Sequence, residues 1–367
     1  MIDLRLKIEP FPAVEPLVVR LRYDAASGED DAASGEDDAV LVDRDAGRCE
    51  FDYNGFSLVV HAPDGIDLDG DVIMVLPGQG SAHRLVRAAS PHNTFLVTEQ
   101  CDQLCVMCSQ PPKKHHADLF PQFLKAVELA PNRAYIGLSG GEPMLHREKM
   151  FAFLEAAAVV RPDVRFHILT NGQHFEEADA ERLTGIGVER VLWGIPLYAR
   201  SPELHDQIVG KPGAFERLQR SLSNLMLAGA SVELRTVVMR QNFAELPALS
   251  NYICNRLPFI SVWALMQMER IGFGRMNWAS SFMDTSSDFS ALRSAINMVC
   301  ASGIEAALYN FPLCSVPQPY RHLAPSTISD WKRKYLGSCE GCSSREACGG
   351  FFEWYKHDEG FRGISPL

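Results

Sequence analysis

From residue 93 to about residue 270, short apolar runs alternate with amphipathic helical stretches. That alternation restricts the fold to a parallel sheet flanked by helices, because parallel strands need a crossover connection. The strand-like runs are Thr94–Thr98, Tyr135–Leu138, Arg165–Leu169, Arg190–Ile195, Val232–Val238 and Phe259–Leu265. Ala117–Leu129, Arg147–Val160, Ala178–Leu183, Phe215–Ala228 and Glu245–Asn255 read as the helices between them. Such a pattern predicts an α/β sheet of six strands, doubly wound or curled as a partial barrel. In either form functional groups gather at the C-terminal ends of the strands.

The first strand run leads into Cys101-Asp-Gln-Leu-Cys105-Val-Met-Cys108, a C-x3-C-x2-C spacing. Three thiolates on one loop hold three corners of a [4Fe–4S] cube and leave the fourth iron open. A structural zinc site instead closes with four ligands. The cysteines also fall at i, i+4 and i+7 and read alternatively as a helical core stripe. Cysteine is a poor helix former, however, and Pro111-Pro112 follow at once.

Residues 1–92 are expected to form a β-rich domain, with runs at Leu17–Tyr23, Glu50–Tyr53, Phe56–His61 and Val72–Leu76. Ala25–Asp38 holds a duplicated Ala-Ala-Ser-Gly-Glu-Asp-Asp unit that is too polar to bury a core and reads as a surface loop. The alternation stops near residue 270, where Phe289–Ser302 reads as one more helix. Residues 271–367 are accordingly expected to form a small C-terminal domain. A net charge of -11 argues against a general nucleic-acid binder. No signal-like segment and no uncharged apolar stretch of bilayer length is evident, so the expected location is cytoplasmic, with no membrane partner. There, ten cysteines do not build a disulfide framework, and seven of them fall into two groups.

Leu138-Ser-Gly140-Gly141-Glu142-Pro143 follows the second strand run. Two glycines let the backbone pass close to a ligand, and the glutamate offers an acceptor for a cation such as an α-ammonium group. Together with the upstream cysteine loop, the chain resembles the radical S-adenosylmethionine (SAM) superfamily. The resemblance implies a partial (β/α)6 barrel with a β-rich N-terminal cap and a cysteine-rich C-terminal domain. It implies that Cys101, Cys105 and Cys108 ligate a [4Fe–4S] cluster whose open iron is chelated by SAM. One-electron reduction by a low-potential donor then cleaves SAM to a 5'-deoxyadenosyl radical, which takes a hydrogen atom from the substrate. By the same resemblance Met107, Gly140, Gly141, Glu142, Pro143, Thr170 and Asn171 hold SAM. Met107 stands where the family usually has an aromatic residue. Arg235 is the candidate for the SAM carboxylate, or else a solvated arginine at a strand edge. Trp193-Gly-Ile-Pro-Leu-Tyr198 and His205-Asp-Gln-Ile-Val-Gly210 resemble the fourth strand and following loop of peptide-modifying members. The usual serine and aspartate of that strand are missing.

A second cysteine set comprises Cys314, Cys339, Cys342 and Cys348. Four thiols suit an auxiliary [4Fe–4S] cluster or a closed zinc site, and spacing does not separate these. The C-x2-C-x5-C stretch resembles the SPASM or twitch domains of peptide-modifying radical SAM enzymes, truncated because Phe352 occupies the next cysteine position. Closer still, Leu96–Pro112, Gly194–Tyr198, Tyr309–Cys314, Ser329–Lys332 and Cys348–Phe352 resemble the His-Xaa-Ser system radical SAM maturases of HxsC type. That likeness implies a ribosomally made precursor peptide as substrate and a second radical SAM maturase as partner. A radical SAM enzyme acting on a small molecule and a zinc-binding peptide scaffold without catalysis are the rival readings. Cys49, Cys254 and Cys300 are expected to be buried apolar residues. The catalytic acid–base residues are unassigned, with Tyr198, His205, Glu269 and Tyr309 as candidates.

Overall fold

The computed structural model describes residues 4–24, 35–63 and 65–367. Most of the duplicated acidic unit, residues 25–34, lies outside these. Its last residue, Asp38, opens a strand rather than ending a loop: it is buried and accepts from Arg20 Nε at 2.7 Å and Nη2 at 2.9 Å.

Among the described residues seven strands build the N-terminal part: β1 (Arg5–Ile8), β2 (Leu17–Arg22), β3 (Asp38–Asp45), β4 (Arg48–Tyr53), β5 (Phe56–His61), β6 (Val72–Leu76) and β7 (Ser81–Val86). They close into a barrel in the order β1-β5-β4-β3-β2-β6-β7, which leaves no free edge. The β4–β5 hairpin turns on Asn54-Gly55, both at positive φ, as a two-residue turn between right-twisting strands requires. Leu6, Leu21, Phe51, Leu58, Val60 and Ile73 fill the interior. The runs β1, β3 and β7 were not legible beforehand, because each mixes charged residues into its pattern.

The second sheet holds β8 (Asn93–Thr98), β9 (Tyr135–Gly140), β10 (Arg165–Leu169), β11 (Val191–Pro196), β12 (Ser231–Val238), β13 (Val262–Gln267) and β14 (Glu305–Tyr309). All pairs are parallel and neighbours follow sequence order. Among the described residues β8 and β14 do not pair with each other, so the sheet is a partial barrel. It has seven strands where six were expected, and it continues past residue 270. β14 gives no strand signal in the sequence, because its five residues, EAALY, carry no strand-rich composition.

Helices 120–129, 147–160, 180–186, 214–227, 246–256 and 290–301 cover the outer face. Phe95 stacks on Phe123 at 4.9 Å, and Trp193 meets Phe175 edge-on at 4.8 Å. Trp263 is fully buried and its Nε1 donates to Thr236 Oγ1 at 2.9 Å, so its one polar atom is satisfied.

After β14 the chain runs through short turns and one two-residue ladder, β15 (Arg333–Lys334) against β16 (Phe351–Phe352). This segment is tied to the N-terminal part by Arg87, whose two Nη atoms reach the Asp330 carboxylate at 2.9 and 2.6 Å. Among the described residues no helix is long and apolar enough to cross a membrane.

Candidate functional site

The cysteine loop begins where β8 ends and is clasped from two sides. Leu104 N donates to Val209 O and Val106 N to Ile208 O, both at 3.0 Å, so the end of helix Pro202–Val209 runs along the loop like a strand partner. Ser201 caps that helix and Gly210 ends it at φ +65°. A Cβ on Gly210 would lie 2.8 Å from Leu104 O, so the turn must be glycine. On the other side Phe273 N donates to Cys108 O at 2.9 Å and Asn277 Nδ2 to Val106 O at 2.8 Å. Asp102 anchors the loop from within, accepting from Asn171 Nδ2 at 2.7 Å and from Lys211 Nζ, with His174 Nε2 at 3.2 Å. Burial raises the Asp102 carboxyl, but His174 and Lys211 outweigh it and hold the group well below the usual carboxylate range.

Cys101, Cys105 and Cys108 line one cavity of about 260 Å³ at the C-terminal ends of the parallel strands. Met107, Gly140, Gly141, Thr170, Asn171 and Arg235 share its wall. Burial pushes the Cys101 thiol up to about 11 and raises Cys105 and Cys108 as well, with neighbouring thiols adding to the shift at Cys101 and Cys105. Ligation by iron requires thiolates, so loading this loop releases protons. Three soft donors facing one open cavity fit an iron–sulfur cluster with a free corner.

Gly140 and Gly141 serve a purpose other than ligand approach alone. A Cβ on Gly140 would lie 2.2 Å from Thr98 O, and one on Gly141 would lie 2.1 Å from Gln100 O. Their lack of side chains lets β9 seat against the root of the cysteine loop. Glu142 and Pro143, expected beside SAM, are not part of the cavity wall. Glu142 is fully buried and accepts from Met144 N at 2.8 Å, Thr170 Oγ1 at 2.6 Å and Asn171 N. Burial pushes its carboxyl up, and those hydrogen bonds only partly offset the shift. It links the ends of β9 and β10, while Pro143 opens the 3-10 turn that Glu142 caps.

Arg235 is not a solvated strand-edge residue. It lies on the concave face of the sheet, paired with Glu233 two residues earlier and 5.7 Å from the centre of the Tyr309 ring. Tyr309 Oη donates to Glu233 at 2.9 Å and His167 Nε2 lies 3.3 Å from it. Gly194 makes room, since a Cβ there would stand 3.0 Å from both His167 Nε2 and Arg235 Cδ. Burial works against the Glu233 charge, yet His167 and Arg235 bring its carboxyl down to about 2. A folded value below the unfolded one stabilises the fold above about pH 4.5, and that contribution is lost as the pH falls toward 2. The shift corresponds to about 3 kcal/mol at most. Glu233→Gln is therefore expected to flatten the acid limb of a stability–pH curve measured by denaturant. An unaltered acid limb would show that Glu233 is not ionised in this cluster.

The four C-terminal cysteines also come together. Cys314, Cys339, Cys342 and Cys348 line a second, smaller cavity of about 30 Å³. Leu313 N and Gly350 N donate to Cys348 Sγ at 3.4 and 3.3 Å, and Leu367 N donates to Cys342 Sγ at 3.4 Å. Burial, then the three partner thiols, push Cys314 up to about 11. Among the described residues no three His, Cys, Asp or Glu side chains converge tightly enough to hold a single metal ion. Of the remaining cysteines Cys49 is buried, Cys254 is partly exposed and Cys300 is exposed on helix 290–301, contrary to the expectation for it. The acid–base candidates separate. His205 is buried beside the Tyr198 and Phe215 rings, its Nδ1 accepts from Tyr198 N at 3.4 Å, and burial brings it down to about 4. Tyr198 and Glu269 line the larger cavity, together with Asn310 of the Tyr309–Cys314 stretch and Gln267, which lies in no motif that the sequence flags.

Residues 95–253 match the model of the Radical SAM superfamily, so this segment is a radical SAM domain. The chain is 29% identical over 154 residues to an AdoMet-dependent heme synthase of Oleidesulfovibrio alaskensis, covering 40% of this chain and 38% of that one. It is 27% identical over 158 residues to a PqqA peptide cyclase of Granulibacter bethesdensis, covering 42% and 41%. The chain thus spans about two fifths of the length of these relatives. A solved structure, Streptococcus suis SuiB bound to S-adenosylmethionine, aligns with a TM-score of 0.49 at 12% identity, over 60% of this chain and 51% of that one. The superfamily implies a [4Fe–4S] cluster and SAM.

Proposed function

We propose that this chain, with a radical SAM domain at residues 95–253, is a radical SAM peptide maturase of the His-Xaa-Ser type. One observation carries the enzymatic part: Cys101, Cys105 and Cys108 face the same cavity as Gly140, Gly141, Thr170, Asn171 and Arg235. The cysteines hold the cluster, and the strand ends β9 and β10 hold SAM through Gly140, Gly141, Thr170, Asn171 and the backbone at Met107. Glu142 and Pro143 act on SAM through the strand ends they brace. Arg235, fixed by Glu233, offers its remaining N–H groups to a carboxylate. When bound, cluster and SAM together supply a 5'-deoxyadenosyl radical that takes a hydrogen atom from the substrate. The protein's own work is to orient one substrate C–H bond and to exclude water.

The peptide part of the reading is supported by the second cysteine site and by the likeness to a peptide cyclase. Cys314, Cys339, Cys342 and Cys348 would hold an auxiliary [4Fe–4S] cluster, with N–H donors already aimed at two of the sulfurs. The partners would be a ribosomally made precursor peptide, a second radical SAM maturase and a low-potential electron donor. A second reading, catalysis on a small molecule, is favoured by the likeness to heme synthases. Co-expression with a neighbouring small peptide gene, followed by mass measurement, separates the two. The peptide reading expects a mass change that requires Cys101; an unmodified peptide beside active SAM cleavage would favour the small molecule.

A further inference from the structure

Among the described residues, two side chains on the wall of the larger cavity hold an acceptor that no donor reaches. Glu269 follows β13 by two residues and its side chain is 18% exposed. Among the described residues no hydrogen bond reaches its carboxylate, and its one charged neighbour is Lys332 Nζ at 3.9 Å. Gln267, at the end of β13, donates to Thr285 Oγ1 at 2.6 Å and leaves Oε1 buried without a partner. A buried acceptor such as Gln267 Oε1 is costly unless a ligand supplies the donor, and the half-buried Glu269 carboxylate opens into the same cavity. The loop that carries Glu269 is fixed: a Cβ on Gly274 would lie 2.4 Å from Glu269 O and 3.2 Å from Met107 O, which ties it to the cysteine loop.

Lys332 explains a motif that the cofactor site leaves unused, Ser329-Asp-Trp-Lys332. Asp330 is gripped by Arg87, and Lys332 lies over the rings of Trp331 and Phe352 at 5.7 and 5.2 Å. The motif thus points one ammonium group at Glu269. Burial raises the Glu269 carboxyl and Lys332 offsets this only in part, while the ammonium group at 3.9 Å stands as its counter-charge. The neighbouring aromatic and methionine cluster runs from Met107 and Cys105 to Phe351, Cys314 and Cys339, so Glu269 stands beside packing that joins the two cysteine sites.

We propose that Glu269, backed by Lys332, is a substrate subsite: it accepts a hydrogen bond from an uncharged N–H or O–H group of a peptide side chain and so sets which residue meets the radical. An uncharged donor is preferred because Lys332 already balances the carboxylate. An imidazole and a hydroxyl both supply that chemistry. This inference rests on the peptide reading above.

The test uses the anaerobically reconstituted full chain and a labelled synthetic peptide of His-Ala-Ser repeats, with versions in which every His or every Ser is replaced by Ala. Binding is read by fluorescence anisotropy. With wild-type protein, one of the two replacements is expected to weaken binding about tenfold or more, the size of a hydrogen bond to a charged acceptor. In Glu269→Met that tenfold difference should vanish, whereas a general folding loss would weaken all peptides alike and keep it. Glu269→Gln keeps a neutral acceptor and should retain a difference of about threefold, which carries the test if the methionine variant fails to fold. A full wild-type difference in either variant overturns the subsite. So does a wild-type protein that binds the peptides but ignores both replacements. If wild type binds none of them, the peptide reading itself falls, and the subsite with it.

Discussion

Replacing Cys101, Cys105 and Cys108 together by alanine is expected to lower the iron content of the anaerobically reconstituted chain from about eight to about four, and to abolish SAM cleavage. The loss should be all-or-none, because the three thiols share one cavity and, in the proposed function, are the ligands that would leave an iron open for SAM. The four remaining irons would belong to Cys314, Cys339, Cys342 and Cys348, which line a separate cavity. Folding should survive, since the loop is held mainly by backbone bonds to Ile208, Val209 and Phe273 and by Asp102, none of which involves sulfur. Iron and visible absorbance measured on the same sample check the claim. Retention of all the iron would remove the loop from the cluster site, while loss of all of it would show that the second cysteine set holds none.

Glu142→Ala is expected to be the most damaging single substitution in the site, through stability as much as through binding. The carboxylate has no exposed surface and satisfies Met144 N, Thr170 Oγ1 and Asn171 N at once. Removing it strands those donors in a buried space and costs about 3 kcal/mol or more. SAM affinity should fall as well, because Thr170 and Asn171 line the cavity and lose the group that fixes their strand end. Glu142→Gln, which keeps an acceptor for Thr170, should recover part of both. Melting temperature and SAM binding measured in parallel test this. A normal melting temperature with lost SAM binding would instead make Glu142 a direct ligand of the SAM ammonium group.

Much of the architecture was legible because the physics behind it is local. A buried parallel strand is a short apolar run and its covering helix an amphipathic one, so β8 to β13 and the long helices between them stood out. β14 did not, since five residues of alanine-rich chain look like nothing in particular until β13 offers them a ladder. In the N-terminal barrel β3 was masked by its own charge: Asp43, Arg44 and Asp45 sit on its exposed end, beside an acidic repeat that read as one long loop.

The candidate site divides in the same way. By itself the sequence marked out the two cysteine sets and the Gly140–Pro143 segment, and placed the first set and that segment at strand ends, because metal ligation would demand particular atoms at short spacings. Only the tertiary structure decided what the other residues do. It buried Glu142, expected beside SAM, between the ends of β9 and β10, paired Arg235 with Glu233, and left Glu269 facing the cavity with no hydrogen-bond donor among the described residues. Those roles depend on which side chains meet across strands tens of residues apart, through gaps opened by residues such as Gly194, and sequence spacing carries no record of such meetings.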